Sequence, residues 1–220
     1  MMMTKPRLNP RKTPRQSRSQ ATYVAVLEGA ARILETEGGH RLTTNHVAER
    51  AGVSVGTLYQ YFPGKEAILA ELIRQMRQDM LTDFEEAARE AKGKDLAFAL
   101  DALIAASLRH HLRRPALAQA LERVESELQL NDEIHALKAR MRELIVEVLR
   151  ERRIMEPERT AFDLMALSRG ISDAAIQSDQ RDFDDLQQRL SRAIRGYLGL
   201  AVTPLVAAPV KTSTEIAGCR

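Results

Sequence analysis

The sequence contains little cysteine, few aromatic residues and no long apolar run. One of its 220 residues is cysteine, none is tryptophan, and 4% are aromatic. A single thiol, Cys219, cannot form an internal disulfide bond, which favours a reducing cytoplasm. No apolar run approaches the roughly 20 residues of a membrane span, and the basic opening residues lack the apolar stretch of a secretory signal. These absences predict a cytoplasmic protein without membrane segments.

The motifs that mark common enzyme sites are also missing. The chain has neither a glycine-rich phosphate loop nor a nucleophile elbow. Its five histidines include one adjacent pair, His110 and His111, and neighbouring residues point about 100° apart around a helix axis. Such a pair is poorly placed to bind one metal ion. We therefore expect no catalytic residue, no cofactor and no metal site.

Apolar residues recur at helical spacing through most of the chain. With 44% hydrophobic and 29% charged residues, the chain can bury a sizeable core. No segment shows the strict alternation of a half-buried strand, so the pattern predicts an all-α fold of about nine helices. Residues 1–20 differ, because they carry six cations and no acid. We expect residues 1–19 to be a disordered basic arm suited to a polyanion, although solubilising tails share this composition.

Residues 43–62 have the spacing of two short helices joined by a tight turn. Thr44 can cap the first helix, where the small side chain of Ala48 allows a second helix to cross closely. Gly52 lies where the turn requires a positive φ, and Ser54 can cap the second helix. This spacing is typical of a helix-turn-helix.

The second short helix has two distinct faces. Leu58 and Phe62, four residues apart, are expected to point inward. The opposite face then carries small or hydrogen-bonding groups and no acid, which suits contact with a DNA major groove. We expect this face to present Val55, Gly56, Thr57, Tyr59, Gln60 and Tyr61. Lys65, at the start of the next helix, adds a cation for a phosphate group.

Residues 51–62, Ala-Gly-Val-Ser-Val-Gly-Thr-Leu-Tyr-Gln-Tyr-Phe, followed by Lys65, Glu66 and Leu69, resemble the DNA-binding domain of the TetR/AcrR family of bacterial transcriptional regulators. The resemblance covers about residues 20–80. It implies a homodimer that binds a palindromic operator, usually as a repressor, and is released by a small ligand. By position, it places the DNA contacts on Thr44, Asn45, Val55, Gly56, Thr57, Tyr59, Gln60, Tyr61 and Lys65.

The remaining helices resemble the family only in architecture. We expect residues 81–202 to form an effector-binding and dimerisation domain, and residues 203–220 to be a disordered tail. The last two helices, about 157–178 and 182–201, have long apolar stripes that suit a four-helix dimer interface. The same stripes can also close the core of a single chain.

An effector pocket is the least specific expectation, because its apolar lining is what any helical core contains. The residues expected to line it or to anchor a ligand are Leu100, Ile104, Ser107, His110, Met141, Phe162, Met165 and Arg169. Together the patterns predict a ligand-responsive repressor that binds double-stranded DNA. The alternative is a helical sensor or scaffold whose helix-turn-helix contacts another protein.

Overall fold

The computed structural model describes residues 7–12, 14–125, 127, 128, 130–178 and 182–201, without the side chains of Asn131 and Gln177. These residues form nine α-helices, one short 3-10 helix at Gly39–Arg41 and no strand, which confirms the predicted all-α fold. None of the described helices is long and apolar enough to cross a membrane. The helices are α1 (Ser17–Thr36), α2 (Thr44–Arg50), α3 (Val55–Tyr61), α4 (Lys65–Glu90), α5 (Leu96–Arg113), α6 (Pro115–Glu125), α7 (Asn131–Glu151), α8 (Pro157–Gln177) and α9 (Phe183–Tyr197).

The first hydrophobic core joins α1, α2, α3 and the first half of α4. Fully buried side chains such as Val26, Val47, Leu58 and Ile68 meet there. Helix α6 belongs to the same core, because Leu121 is buried among these residues. A helix that the sequence assigned to the C-terminal domain therefore packs directly on the N-terminal one.

The second core contains the remaining helices, and α4 passes through both. Buried residues of α4 up to Met76 lie in the first core, and those from Met80 onward lie in the second. There they meet Leu100 of α5, Ile145 of α7 and Leu190 of α9. Because α4 is a continuous helix of 26 residues, the two cores share one rigid element.

The N-terminal segment is more ordered than its composition suggests. Helix α1 begins at Ser17, and residues 7–12 lie against the first core, where Leu8 packs. The Arg74 guanidinium holds this segment by donating hydrogen bonds to the Leu8 carbonyl (3.2 Å) and to Asn9 Oδ1 (2.6 Å). Residues 1–19 were predicted to form a disordered arm. That prediction is wrong for Leu8 and Asn9, which make these contacts, and for residues 17–19, which begin α1. The predicted tail and Cys219 lie outside the described residues.

An arginine at the junction of α5 and α6 connects the second part of the chain to α1. The Arg114 guanidinium donates two hydrogen bonds of 2.7 Å to the two carboxylate oxygens of Glu35. Its third nitrogen donates to Glu28 at 2.9 Å. Such bidentate geometry fixes direction as well as distance. The junction between α5 and α6 is therefore tied to α1.

Gly29 sits where α1 and α2 cross most closely. A Cβ atom at this position would lie 3.2 Å from the Ala51 nitrogen and 3.3 Å from the Val47 carbonyl oxygen. Both neighbours are backbone atoms, which cannot rotate away. We predict that Gly29→Leu lowers the free energy of unfolding by about 2 kcal/mol through overpacking.

Urea denaturation followed by circular dichroism measures this difference. Ala21→Leu, at an exposed position of the same helix, is the matched control and should change stability by less than about 0.5 kcal/mol. Equal stabilities of the two variants would contradict the close crossing.

Candidate functional site

Helices α2 and α3 are held by two side-chain caps and one glycine. Thr43 caps α2 by accepting a hydrogen bond from the His46 N–H (3.2 Å), so the predicted cap at Thr44 is wrong by one residue. Ser54 caps α3 as predicted, accepting from the Thr57 N–H at 3.0 Å. Gly52 between the helices has φ +67°, a conformation that costs glycine little. The turn geometry expected from the sequence is confirmed.

Aromatic packing on its buried side holds helix α3 in place. Leu58 and Phe62 are fully buried, as predicted from their spacing. The Phe62 ring stacks on Tyr23 of α1, with ring centroids 4.8 Å apart. The orientation of α3 is therefore set by the first core.

The outward face of α3 is polar and carries no acid. Val55, Gly56, Tyr59 and Gln60 are exposed, and Thr57 is half-buried. Among the described residues, the side chains of this face make two hydrogen bonds, one between Thr57 and Ser54 and one from Tyr59 that is described next. This face is open to a partner.

Helix α2 contributes to the same surface. The hydroxyls of Thr44 and Tyr59 lie 3.1 Å apart and share a hydrogen bond, which joins the start of α2 to the middle of α3. Asn45 and Lys65 are exposed. Eight of the nine predicted DNA contacts are therefore exposed or half-buried.

Tyr61 is the exception, because the prediction that it faces outward is wrong. Its side chain is only 5% exposed, and its ring meets Tyr23 edge-on at 6.0 Å. Tyr61 follows Leu58 by three residues, so it falls near the buried stripe of the helix. Arg11 and Lys12 of the N-terminal segment also contact Tyr61.

This N-terminal segment adds a basic group that the motif alone does not indicate. The Arg11 N–H donates to the Tyr61 carbonyl at 2.7 Å, at the end of α3. The Lys12 ammonium lies 4.8 Å from the centre of the Tyr61 ring, within cation–π distance. The segment therefore places cations beside α3. The sequence shows that Arg11 and Lys12 are cations, but it does not show that they lie beside α3.

The predicted effector residues are divided between the second core and the surface. Leu100, Ile104 and Met141 are packed in the second core, and Met165 lies at its edge. The Ser107 hydroxyl donates to the Ile104 carbonyl of its own helix. Phe162 and Arg169 were expected to point inward or to anchor a ligand, and both are wrong as pocket residues because they are exposed.

The reason for the Phe162 error is the phase of the α8 stripe. The buried positions described for that helix are Thr160, Ala161, Leu164 and Ala175. Phe162 is therefore turned by about 100° from the buried face. An open groove with a volume of about 480 Å³ lies elsewhere, along Arg142, Val146 and neighbouring residues.

The adjacent histidines also differ from expectation, because their rings converge. The ring centroids of His110 and His111 are 4.0 Å apart, and both side chains are buried. His110 Nε2 lies 3.2 Å from one oxygen of Glu122 on α6, and His111 Nε2 lies 3.6 Å from the other. The expected divergence of the two rings is wrong.

The burial of these histidines changes their acid–base behaviour. Desolvation lowers the pKa of His111 to about 4, and the neighbouring His110 acts in the same direction. Burial opposes ionisation of Glu122, yet the hydrogen bond from His110 and the nearby positive groups hold the pKa of this carboxyl below its ordinary value. At neutral pH the cluster therefore pairs a neutral His111 with an ionised Glu122.

Comparison with known proteins identifies the family of the chain. Residues 26–72 match the family model of bacterial regulatory proteins of the tetR family, and residues 95–198 match the model of the tetracyclin repressor-like C-terminal domain. Together the two matches span about two thirds of the chain. The chain belongs to the TetR family. It is a DNA-binding transcriptional regulator and not an enzyme, as the sequence predicted.

Individual relatives agree with this assignment. Nucleoid occlusion factor SlmA of Alteromonas mediterranea is 29% identical over 63% of this chain and 71% of its own length. A fatty acid metabolism regulator protein of Bacillus subtilis is 31% identical over 52% of this chain and 59% of its own.

Solved structures show the same fold. A putative TetR-family regulator from Mesorhizobium loti superposes with a TM-score of 0.68 at 17% identity, covering 84% of this chain and 98% of its own. The fatty acid degradation regulator FadR from Bacillus halodurans gives a TM-score of 0.65 at 19% identity, covering 84% and 96%.

The Ser54 cap gives a direct test of how α3 is held. We predict that Ser54→Ala lowers the free energy of unfolding by about 1 kcal/mol, because the Thr57 N–H loses its acceptor at the start of a seven-residue helix. Chemical denaturation measures the change.

Thr82→Ala is the control for this substitution. The Thr82 hydroxyl is exposed and donates only to a carbonyl of its own helix. Loss of this hydroxyl should lower the free energy of unfolding by less than about 0.5 kcal/mol. A Ser54 variant as stable as the Thr82 variant would show that the cap does not hold α3.

Proposed function

We propose that the protein is a ligand-responsive repressor that acts in the bacterial cytoplasm as a homodimer on a palindromic operator. The exposed, acid-free face of α3 carries this proposal. A helix whose apolar side is buried in its own core, and whose polar side is free, can lie in a major groove. A two-fold dimer presents two such helices to two half-sites.

The residues of this face divide into two roles. We assign contacts with the DNA backbone to Thr44, Tyr59 and Lys65, because hydroxyls and ammonium groups bind phosphate oxygens irrespective of sequence. The hydrogen bond between Thr44 and Tyr59 orients both hydroxyls. Gln60, with a free amide, is the candidate for reading a base edge, since glutamine can pair with adenine.

The remaining residues of the outward face of α3 are small enough to let DNA approach this helix closely. Gly56 has no side chain, and Val55 and Thr57 offer methyl groups that can contact thymine. Asn45 lies at the start of α2 beside this surface. Lys12 and Arg11 extend the positive charge past the end of α3, which supports a contribution of the N-terminal segment to phosphate binding.

The proposed dimer interface consists of α8 and α9. One stripe of exposed residues on α8 contains Phe162, Ala166, Gly170 and Ala174 at steps of four residues, with the charged Glu158 before it and Arg169 beside it. Phe162 is 60% exposed. Tyr197 of α9 is 47% exposed, and its hydroxyl donates a hydrogen bond to Asp163, the residue after Phe162. An exposed apolar stripe with small residues allows close packing of a second helix pair.

Release by a small effector is supported by the position of α6. This helix packs in the first core through Leu117 and Leu121, and Arg114 at its start binds α1. A ligand that favours a different position of α6 would change the orientation of α1 and hence of α3. The differential affinity of the ligand for the two arrangements would set the extent of release.

Replacement of Lys65 tests the proposed contact with phosphate. We predict that Lys65→Ala weakens binding to all duplexes by a similar factor and lowers the slope of log affinity against log salt concentration by about one. Fluorescence anisotropy with two unrelated duplexes at several salt concentrations measures both quantities. Lys92→Ala, which removes an exposed lysine beyond the end of α4, is the control and should leave the slope unchanged.

The same titration separates the proposal from its alternative. If the helix-turn-helix served contacts with another protein, the unaltered chain would not bind duplex DNA even at low salt. A Lys65 variant with the original slope would exclude this lysine from the interface while leaving DNA binding itself intact.

Replacement of Phe162 tests the dimer interface. We predict that Phe162→Glu raises the dimer dissociation constant at least about a hundredfold, because an unpaired carboxylate would be buried in the contact. Sedimentation velocity over a concentration series measures the change. Val24→Glu, at an equally exposed apolar residue of α1, should leave the dimer intact. Identical sedimentation of the two variants would locate the interface elsewhere.

A further inference from the structure

The cluster of His110, His111 and Glu122 has the composition and spacing of a metal site. One ligand atom from each residue lies within 4.8 Å of the others. Two histidines and a carboxylate form a common three-ligand set for zinc that leaves one position open. We propose that these three side chains bind a divalent ion of the zinc class between α5 and α6.

The distances fit such an ion. Zinc binds imidazole nitrogen and carboxylate oxygen at about 2.1 Å, so two ligands at a tetrahedral angle lie about 3.4 Å apart. The two distances from the histidine Nε2 atoms to the Glu122 oxygens are 3.2 and 3.6 Å. These two distances end on different oxygens of Glu122, and the three ligand atoms lie within 4.8 Å of one another, so the cluster would contract to bind the ion. Glu122 would bind through one oxygen once the ion replaces its hydrogen bond with His110.

The histidine nitrogens that face Glu122 are the ones that would bind the ion. These are the two Nε2 atoms. Nδ1 of His110 is buried, has no hydrogen-bond partner among the described residues and is not a ligand of the proposed ion. On metal binding, each Nε2 gives up any proton it carries and Nδ1 carries the ring proton, as in a neutral metal-bound imidazole.

Arg77 is the nearest competing cation, and it is already occupied. One of its terminal nitrogens lies 3.8 Å from Glu122, but the same guanidinium donates to Glu125 at 2.9 and 2.7 Å. Lys138 also binds Glu125. The stronger acceptor of Arg77 is thus Glu125, and the contacts of Glu122 that the ion would replace are those with the two histidines.

Access is possible from the side of the carboxylate. The side chains of His110 and His111 are 7% and 4% exposed, whereas that of Glu122 is 25% exposed. An ion can therefore enter past Glu122 and be held against the buried rings. Water completes the fourth position.

Zinc and cobalt binding to the full-length chain test the proposal. After dialysis against a chelator, calorimetric titration with Zn²⁺ should show one ion per chain and a raised melting temperature, because the ion binds only the folded site. Co²⁺ should give the intense visible spectrum of tetrahedral coordination. Absence of saturable binding, or a weak octahedral spectrum, would overturn the proposal without any variant and without reference to DNA.

The Glu122→Gln variant tests whether Glu122 is a ligand of the ion. This substitution keeps the size of the side chain and its capacity to accept from His110, but removes the charge. It should weaken zinc binding at least about a hundredfold, since even the loss of an outer hydrogen-bond partner costs 10- to 100-fold. His135→Ala, at an exposed histidine of α7, should bind zinc as the unaltered chain does. Equal affinity of the Glu122 variant and the unaltered chain would mean that the ion binds elsewhere.

Discussion

The packing of α3 against α1 is the contact on which the rest of the structure depends. A helix of seven residues is too short to be stable alone in water, so its conformation and direction come from Leu58, Phe62 and the Tyr23 ring beneath them. The same packing leaves Tyr59 and Gln60 on the outer side. The surface that we propose to bind DNA is therefore a consequence of which side chains are buried, namely Leu58, Tyr61 and Phe62.

The two hydrophobic cores are coupled by more than the shared helix α4. Asp83 of α4, 2% exposed, accepts hydrogen bonds from Arg109 and Arg113 of α5, while Arg114 at the next position in sequence binds α1. Buried ion pairs contribute little net stability, but removing one partner is costly because it leaves an unpaired charge. These contacts therefore restrict how α5 and α6 can move relative to the DNA-binding helices.

The sequence predicted the fold and the helix-turn-helix because both are local properties. The spacing from Ala48 to Gly52 and Leu58 specifies a turn and two buried positions without reference to distant residues. Tyr61 and Phe162 were misplaced because each lies beside a buried stripe, where a neighbouring segment decides the exposure. For Tyr61 that neighbour is α1, whose Tyr23 ring meets it edge-on, together with Arg11 and Lys12. The convergence of His110 and His111 depends on Glu122, which lies on another helix.

The location of the histidine cluster connects an ion to the DNA-binding surface by a short path. Glu122 is on α6, one residue beyond Leu121, which is buried in the first core, and the histidines are on α5, directly before the Arg114 junction. An ion that draws Glu122 toward the two rings pulls on a helix whose opposite side contacts α1. Because packed cores resist continuous deformation, such a pull either fixes the present arrangement of α1 or favours a second discrete one. In both cases the ion acts on the orientation of α3 through side chains that are already in contact.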